Sequence, residues 1–150
     1  DRLQSYQAIC QFLFKAWRRL GVELDYGGAK RSEGENPSCF ATATEADLVL
    51  PGGAKLIGSA QVLRRGAILQ HGSMRLRPDR ELLRQIFGTE EELPTLPPSL
   101  PQEPEALMSL VTAALIAAAE ECFNAQFMVE PFSEAEVAEI DAFAACRLRR

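Results

Sequence analysis

Pro51-Gly-Gly-Ala-Lys55-Leu-Ile-Gly-Ser-Ala60-Gln-Val-Leu-Arg-Arg65-Gly-Ala-Ile-Leu-Gln70-His-Gly-Ser-Met74 reads as two strands joined by a tight turn, and the fold follows from it. Gly52-Gly53 can take the positive φ that a tight hairpin needs. It stands between two short runs of strand type, Asp47-Leu-Val-Leu and Lys55-Leu-Ile. Lys55 is therefore the first residue of a strand leaving a turn. Strict alternation along that strand puts Lys55, Ile57, Ser59 and Gln61 on one face and Leu56, Gly58, Ala60 and Val62 on the other. The first face carries an amine, a hydroxyl and an amide; the second is small and apolar and suits a covering helix. Arg64-Arg65-Gly66 is the next turn. A three-residue loop there pairs Leu63 with Ala67 and sets His71 opposite Ser59, on the face of Lys55. A two-residue loop would carry His71 to the other face, because a one-residue slip moves every side chain across the sheet. The three-residue register is the expected one.

Working outward, Leu3, Tyr6, Cys10, Leu13, Phe14 and Trp17 recur at helical spacing and predict a helix over 2–20 laid on a core. A short strand is expected at 22–26. Residues 27–38 show no period of 2 or 3.6 and are rich in glycine and charge, so they predict a loop and the most mobile interior segment. That loop delivers Cys39, which lies outside any apolar stripe. After the hairpin, Pro78-Asp79 opens a helix that Gly88 ends, and 89–104, with five prolines, reads as an extended connector. Leu107, Leu110, Val111, Ala114, Leu115, Ala118 and Cys122 predict an inward face for a helix over 105–123. Gln126-Phe-Met-Val is a strand candidate. Ser133 and Glu136 form a capping box heading a last helix through Val137, Ile140 and Ala144.

At 150 residues, 47% hydrophobic and 25% charged, the composition is that of one soluble domain with a real core, 1–150. The net charge of -5 argues against nucleic acid as a partner. No apolar run is expected to span a membrane, and no signal-peptide pattern begins the chain. The four cysteines are widely spaced, which argues against a metal site or a disulfide framework and for reduced thiols in a cytoplasm. Gly52-Gly53 does not belong to a phosphate-binding loop.

Asn36-Pro-Ser-Cys39-Phe, Ala46-Asp-Leu-Val-Leu, Gly53-Ala-Lys55-Leu-Ile-Gly-Ser-Ala-Gln and Leu69-Gln-His71-Gly-Ser, in that order, resemble the biotin/lipoate protein ligase family. Within it they are most similar to the cysteine-dependent octanoyltransferases and amidotransferases of lipoate assembly. The resemblance implies an α/β (α+β) fold of the class II aminoacyl-tRNA synthetase/biotin ligase type, with a mixed or antiparallel sheet covered by helices. The family's upstream Arg-Arg-x-(Ser/Thr)-Gly-Gly-Gly-type loop and His-Asp segment are not among these residues. The expectation is therefore the C-terminal portion of such a domain, completed by an N-terminal segment or a second chain.

The activity implied is transfer of an octanoyl or lipoyl group, through a cysteine thioester, between acyl carrier protein and lipoyl-domain proteins. Such chemistry needs a thiolate near neutral pH, and a free thiol of pKa about 8.5 needs a nearby cation to supply it. The resemblance assigns Cys39 as nucleophile and Lys55 as the group that positions the acyl carbonyl. It assigns Gly58, Ser59, Ala60, His71 and Gly72 to substrate binding. No bound cofactor or metal is implied. Lys55→Ala is expected to lower turnover far more than stability. An ATP-dependent lipoate-protein ligase is the first alternative, with ATP as its co-substrate. A non-catalytic fragment that binds carrier domains is the second.

Overall fold

The computed structural model describes residues 2–28, 43–88 and 92–147. Helix α1 (Arg2–Arg19) is followed by β1 (Asp25–Tyr26), β2 (Asp47–Val49), β3 (Lys55–Arg64) and β4 (Ala67–Met74). Helices α2 (Arg80–Phe87), α3 (Pro104–Phe123) and α4 (Glu134–Arg147) complete the chain. The strands form one antiparallel sheet in sequence order, β1-β2-β3-β4. Cys39 and nearly all of the loop expected over 27–38 lie outside the described residues.

The apolar stripe of α1 does what its spacing requires. Tyr6, Cys10, Leu13 and Trp17 are buried, and Trp17 is fully enclosed with Leu48, Leu56 and Ile57 of the sheet. Side chains of this size each contribute about 1.5–3 kcal/mol on burial. Leu3, at the start of the expected stripe, stays largely exposed. Both hairpin turns form at the expected places. Gly52 and Gly53 take φ of 110° and 101°. Asp79 caps α2 by accepting from the Leu82 N–H at 3.0 Å.

The β3–β4 register differs from the expected one. Arg64 pairs with Ala67, so the turn has two residues, Arg65 and Gly66, both at positive φ (51° and 79°). This twin left-handed turn matches the twist of the flanking strands, which favours it over the longer loop. His71 consequently pairs with Ala60, and Gly72 with Ser59. The β2–β3 ladder holds a second departure. Leu48 faces Ile57 while Val49 faces Lys55, so β3 carries one extra residue there, Leu56, in a bulge. Leu56 and Ile57 both enter the core.

Helix α3 packs on α1. Leu107, Val111, Ala118 and Ala119 are buried, Phe12 and Phe123 meet with ring centroids 5.7 Å apart, and Lys15 and Arg19 both reach Glu121. Leu110 and Cys122, expected to face inward, are exposed. The expectation that no apolar run reaches membrane-span length is corrected here. α3 has 20 residues, and its most apolar 18-residue window has a mean hydropathy of 1.6, which by length and composition alone is enough to cross a membrane.

Residues 125–133 carry no regular structure, so the strand expected at 126–129 is not formed. The capping box does form: Ser133 N–H donates to Glu136 Oε2 at 2.8 Å, and Glu136 N–H donates to Ser133 Oγ at 3.3 Å. The Ser133 N–H, and with it the Ser133 hydroxyl donating to the same Oε2 at 2.7 Å, hold the Glu136 carboxyl below its usual range. The stripe Val137, Ile140 and Ala144 heads no core, since α4 is exposed along its described length.

The chain on either side of residues 29–42 is drawn into a narrow neck. Gly27 N–H donates to the Asp47 carbonyl at 2.9 Å, and a Cβ on Gly27 would lie 2.4 Å from the Thr44 carbonyl oxygen and 3.0 Å from Ala43 Cβ. The obstacle is backbone, which cannot swing aside. Gly27→Ala should therefore lower stability by about 1–3 kcal/mol, the usual penalty for overpacking, and thermal melts measure it. An unchanged melting temperature would show that the neck opens freely.

Candidate active site

The bulge at Leu56 decides which residues share a face with Lys55. Directly paired residues point to the same side of an antiparallel ladder, and Lys55 pairs with Val49, two residues from Asp47. Lys55 thus joins Asp47 and Gly58 on one face, and Ile57, Ser59 and Gln61 lie on the other. The expected grouping of Lys55 with Ile57, Ser59 and Gln61 is corrected on this point. The β4 register adds His71, opposite Ala60, and Ser73, opposite Gly58, to the Lys55 face. The register and the alternation both depart from expectation, and the two departures cancel. Lys55 and His71 do share a face.

The covering helix also sits on the face opposite to the one expected. Tyr6 of α1 donates from its hydroxyl to Ser59 Oγ at 3.5 Å. Gln61 Nε2 donates to Gln70 Oε1 at 3.0 Å, and Gln70 Nε2 in turn donates to the Cys10 sulfur at 3.3 Å. The polar side chains read as a functional face are instead hydrogen-bonded beneath α1. Gly72 lies on the same face of the sheet but is exposed; a Cβ on it would lie 2.9 Å from the Gly58 carbonyl oxygen, so its smallness serves strand packing. Of the expected substrate-binding set, Gly58, Ala60 and His71 lie on the Lys55 face, whereas Ser59 and Gly72 lie on the helix-covered one.

Lys55 is not a strand-end residue in water. Its side chain is 7% exposed, and Nζ stands 3.0 Å from Asp47 Oδ2, itself on a side chain 4% exposed. The same Oδ2 accepts from Thr44 N–H at 2.7 Å and from Thr44 Oγ1 at 2.8 Å, while Oδ1 accepts from Ser59 N–H at 3.2 Å. One carboxylate thus gathers the neck, the root of β3 and the ammonium. A buried charge is tolerated when it is paired and hydrogen-bonded, and both conditions hold here. Reasoning from sequence missed Asp47. The available signal was its place across the hairpin from Lys55, where an acidic residue in a strand otherwise meant to be buried needs a cation.

Beyond the ion pair, Gly58, Ala60 and Ser73 make a low floor, with His71 exposed beside it and Val62 and Leu69, both largely exposed, further along. A cleft of about 430 Å³ opens between the end of β4, α2 and α3, lined mainly by Met74, Leu76, Leu82, Leu83 and Leu107. It contains neither Lys55 nor Asp47.

Three cysteines are described. Cys10 is fully buried and its thiol is pushed up by burial, which makes it a packing residue. Cys122 and Cys146 are exposed on α3 and α4. Cys39 lies outside the described residues but is tethered. It precedes Thr44 by five positions, and five residues of chain span at most about 18 Å.

Residues 1–127 match the family described as lipoyl protein ligase A/B catalytic domain. The octanoyltransferase LipM of Oceanobacillus iheyensis is 34% identical over 84 residues, covering 56% of this chain and 30% of that protein. LipM of Lysinibacillus sphaericus is 28% identical over 151 residues, covering 89% of this chain and 54% of that protein. The chain therefore spans between about a third and about half of these curated relatives.

Among solved structures, lipoate-protein ligase A bound with ATP superposes with a TM-score of 0.66 at 19% identity, over 92% of this chain and 53% of that one. A bi-partite lipoate protein ligase from Thermoplasma acidophilum, described with its E2 lipoyl domain, gives 0.61 at 19% identity, over 92% of this chain and 52% of that one. These two likenesses concern the fold alone.

Proposed function

The chain belongs to the lipoyl protein ligase A/B catalytic domain family, and from that premise we propose that its protein transfers an octanoyl group in lipoate assembly through a thioester on Cys39. The observation that carries this reading is the buried Lys55 ammonium, held by the carboxylate that also binds the chain five residues after Cys39. In the first step the Cys39 thiolate attacks the carbonyl of an octanoyl thioester on a carrier protein. The bond to the carrier sulfur breaks, and the carrier thiol leaves after taking up a proton. In the second step a nucleophile on the acceptor domain attacks the Cys39 thioester, loses its proton and releases the Cys39 thiolate. In both steps negative charge develops on the acyl oxygen, where a fixed ammonium in a site sheltered from water acts most strongly.

The floor of Gly58 and Ala60, leading to Val62 and Leu69, suits an alkyl chain, and His71 borders it. Carrier and lipoyl domains are the proposed partners, supported by the LipM relatives and by the archaeal ligase described with its lipoyl domain. The reaction uses no ATP, since the donor is already a thioester. A transfer assay with the full-length protein, octanoyl-carrier protein and a lipoyl domain tests this directly. Octanoylated lipoyl domain should form without ATP. Product only from free octanoate and ATP would instead make the protein a ligase.

A further inference from the structure

We propose that Asp47 is a positioning residue that sets the Lys55 ammonium for acyl transfer. The proposal rests on the role given to Lys55 above. Lysine is a flexible four-carbon stem ending in a compact charge, so it orders only where something fixes its end. Asp47 does this at 3.0 Å, and its own carboxylate is held still by three further donors: Thr44 N–H, Thr44 Oγ1 and Ser59 N–H.

Its backbone is held as well. The Asp47 carbonyl accepts from Gly27 N–H at 2.9 Å, and Asp47 N–H donates to the Thr44 carbonyl at 2.9 Å. The two ends of the chain around residues 29–42 and the Lys55 ammonium are thereby referred to one residue, Gly27 through its backbone and Thr44 and Lys55 through its carboxylate. Asp47 is buried and does not line the 430 Å³ cleft, so it is assigned to act through Lys55 rather than on the substrate.

The test is a double-mutant cycle on transfer by the full-length protein, with Asp47→Asn and Lys55→Met. Asparagine keeps the shape and an acceptor for Ser59 N–H but removes the charge. Asp47→Asn alone should lower kcat about tenfold or more, with KM for the acyl donor changed by less than about twofold. In the Lys55→Met background the same change should have an effect of less than about twofold, because a residue that works only through the lysine has nothing left to position.

Should Asp47→Asn fail to fold, Thr44→Val takes its place in the cycle. It removes one donor to Oδ2 and should lower kcat about threefold, again only where Lys55 is present. Losses that multiply in the double variant would overturn the proposal, as would a folded Asp47→Asn with unchanged kcat. Near-normal transfer by Lys55→Met would instead sink the role of Lys55, an outcome distinct from either.

Discussion

Lys55→Ala is expected to lower acyl transfer by about 10²–10³-fold and, in the same protein, to lower unfolding free energy by about 3–5 kcal/mol. The first effect is the loss of a fixed charge beside the developing oxyanion. The second arises because Asp47 remains buried with no cation, and an uncompensated buried carboxylate is costly. The strand position alone predicted little loss of stability, and the burial of the pair reverses that expectation. Turnover and stability can still be separated. Asp47→Asn/Lys55→Met removes both charges while keeping an acceptor for Ser59 N–H, so it should recover much of the melting temperature and none of the transfer. Lys55→Arg keeps the charge, but the planar guanidinium does not fit a site built for a compact ammonium, and it should rescue little. Melting curves and transfer rates on these variants check each statement. Near-normal transfer by Lys55→Ala would leave the pair as structure only.

Cys39→Ser is expected to have the larger effect on transfer, a loss of at least about 10³-fold, with a melting temperature close to that of the parent. Serine has the shape of cysteine but provides no anion near neutral pH. Cys10→Ser tests the contrary assignment. That sulfur is fully buried and accepts from Gln70, so substituting it should change stability and leave transfer nearly intact.

Much of the architecture was legible because the signals were local. The Gly52-Gly53 turn, the α1 stripe, the Gly88 stop of α2 and the Ser133/Glu136 box each depend on neighbours a few residues away. What could not be read depended on pairing. Leu56 and Ile57 are both apolar, so no change of polarity marks the bulge that turns Lys55 to the other face. Arg65 tolerates a left-handed φ without being a glycine, and this hid the two-residue turn. Ser59 and Gln61 fell on the face away from the expected helix because the contacts that place them under α1, Tyr6 to Ser59 and Cys10 to Gln70, join residues more than fifty positions apart. The family motif singled out Lys55 without regard to its face, and the structure finds that side chain buried and paired with Asp47. Asp47 stood in one of the quoted motif segments, but its ion pair with Lys55 becomes visible only when β2 and β3 are paired.

The most direct test of thioester chemistry on Cys39 is intact-mass spectrometry of the full-length protein after brief incubation with octanoyl-carrier protein and no acceptor. The account predicts one added octanoyl group, mapped to Cys39, absent in Cys39→Ser and discharged when lipoyl domain is supplied. An adduct that persists in Cys39→Ser, or that maps to Cys10, Cys122 or Cys146, would contradict it.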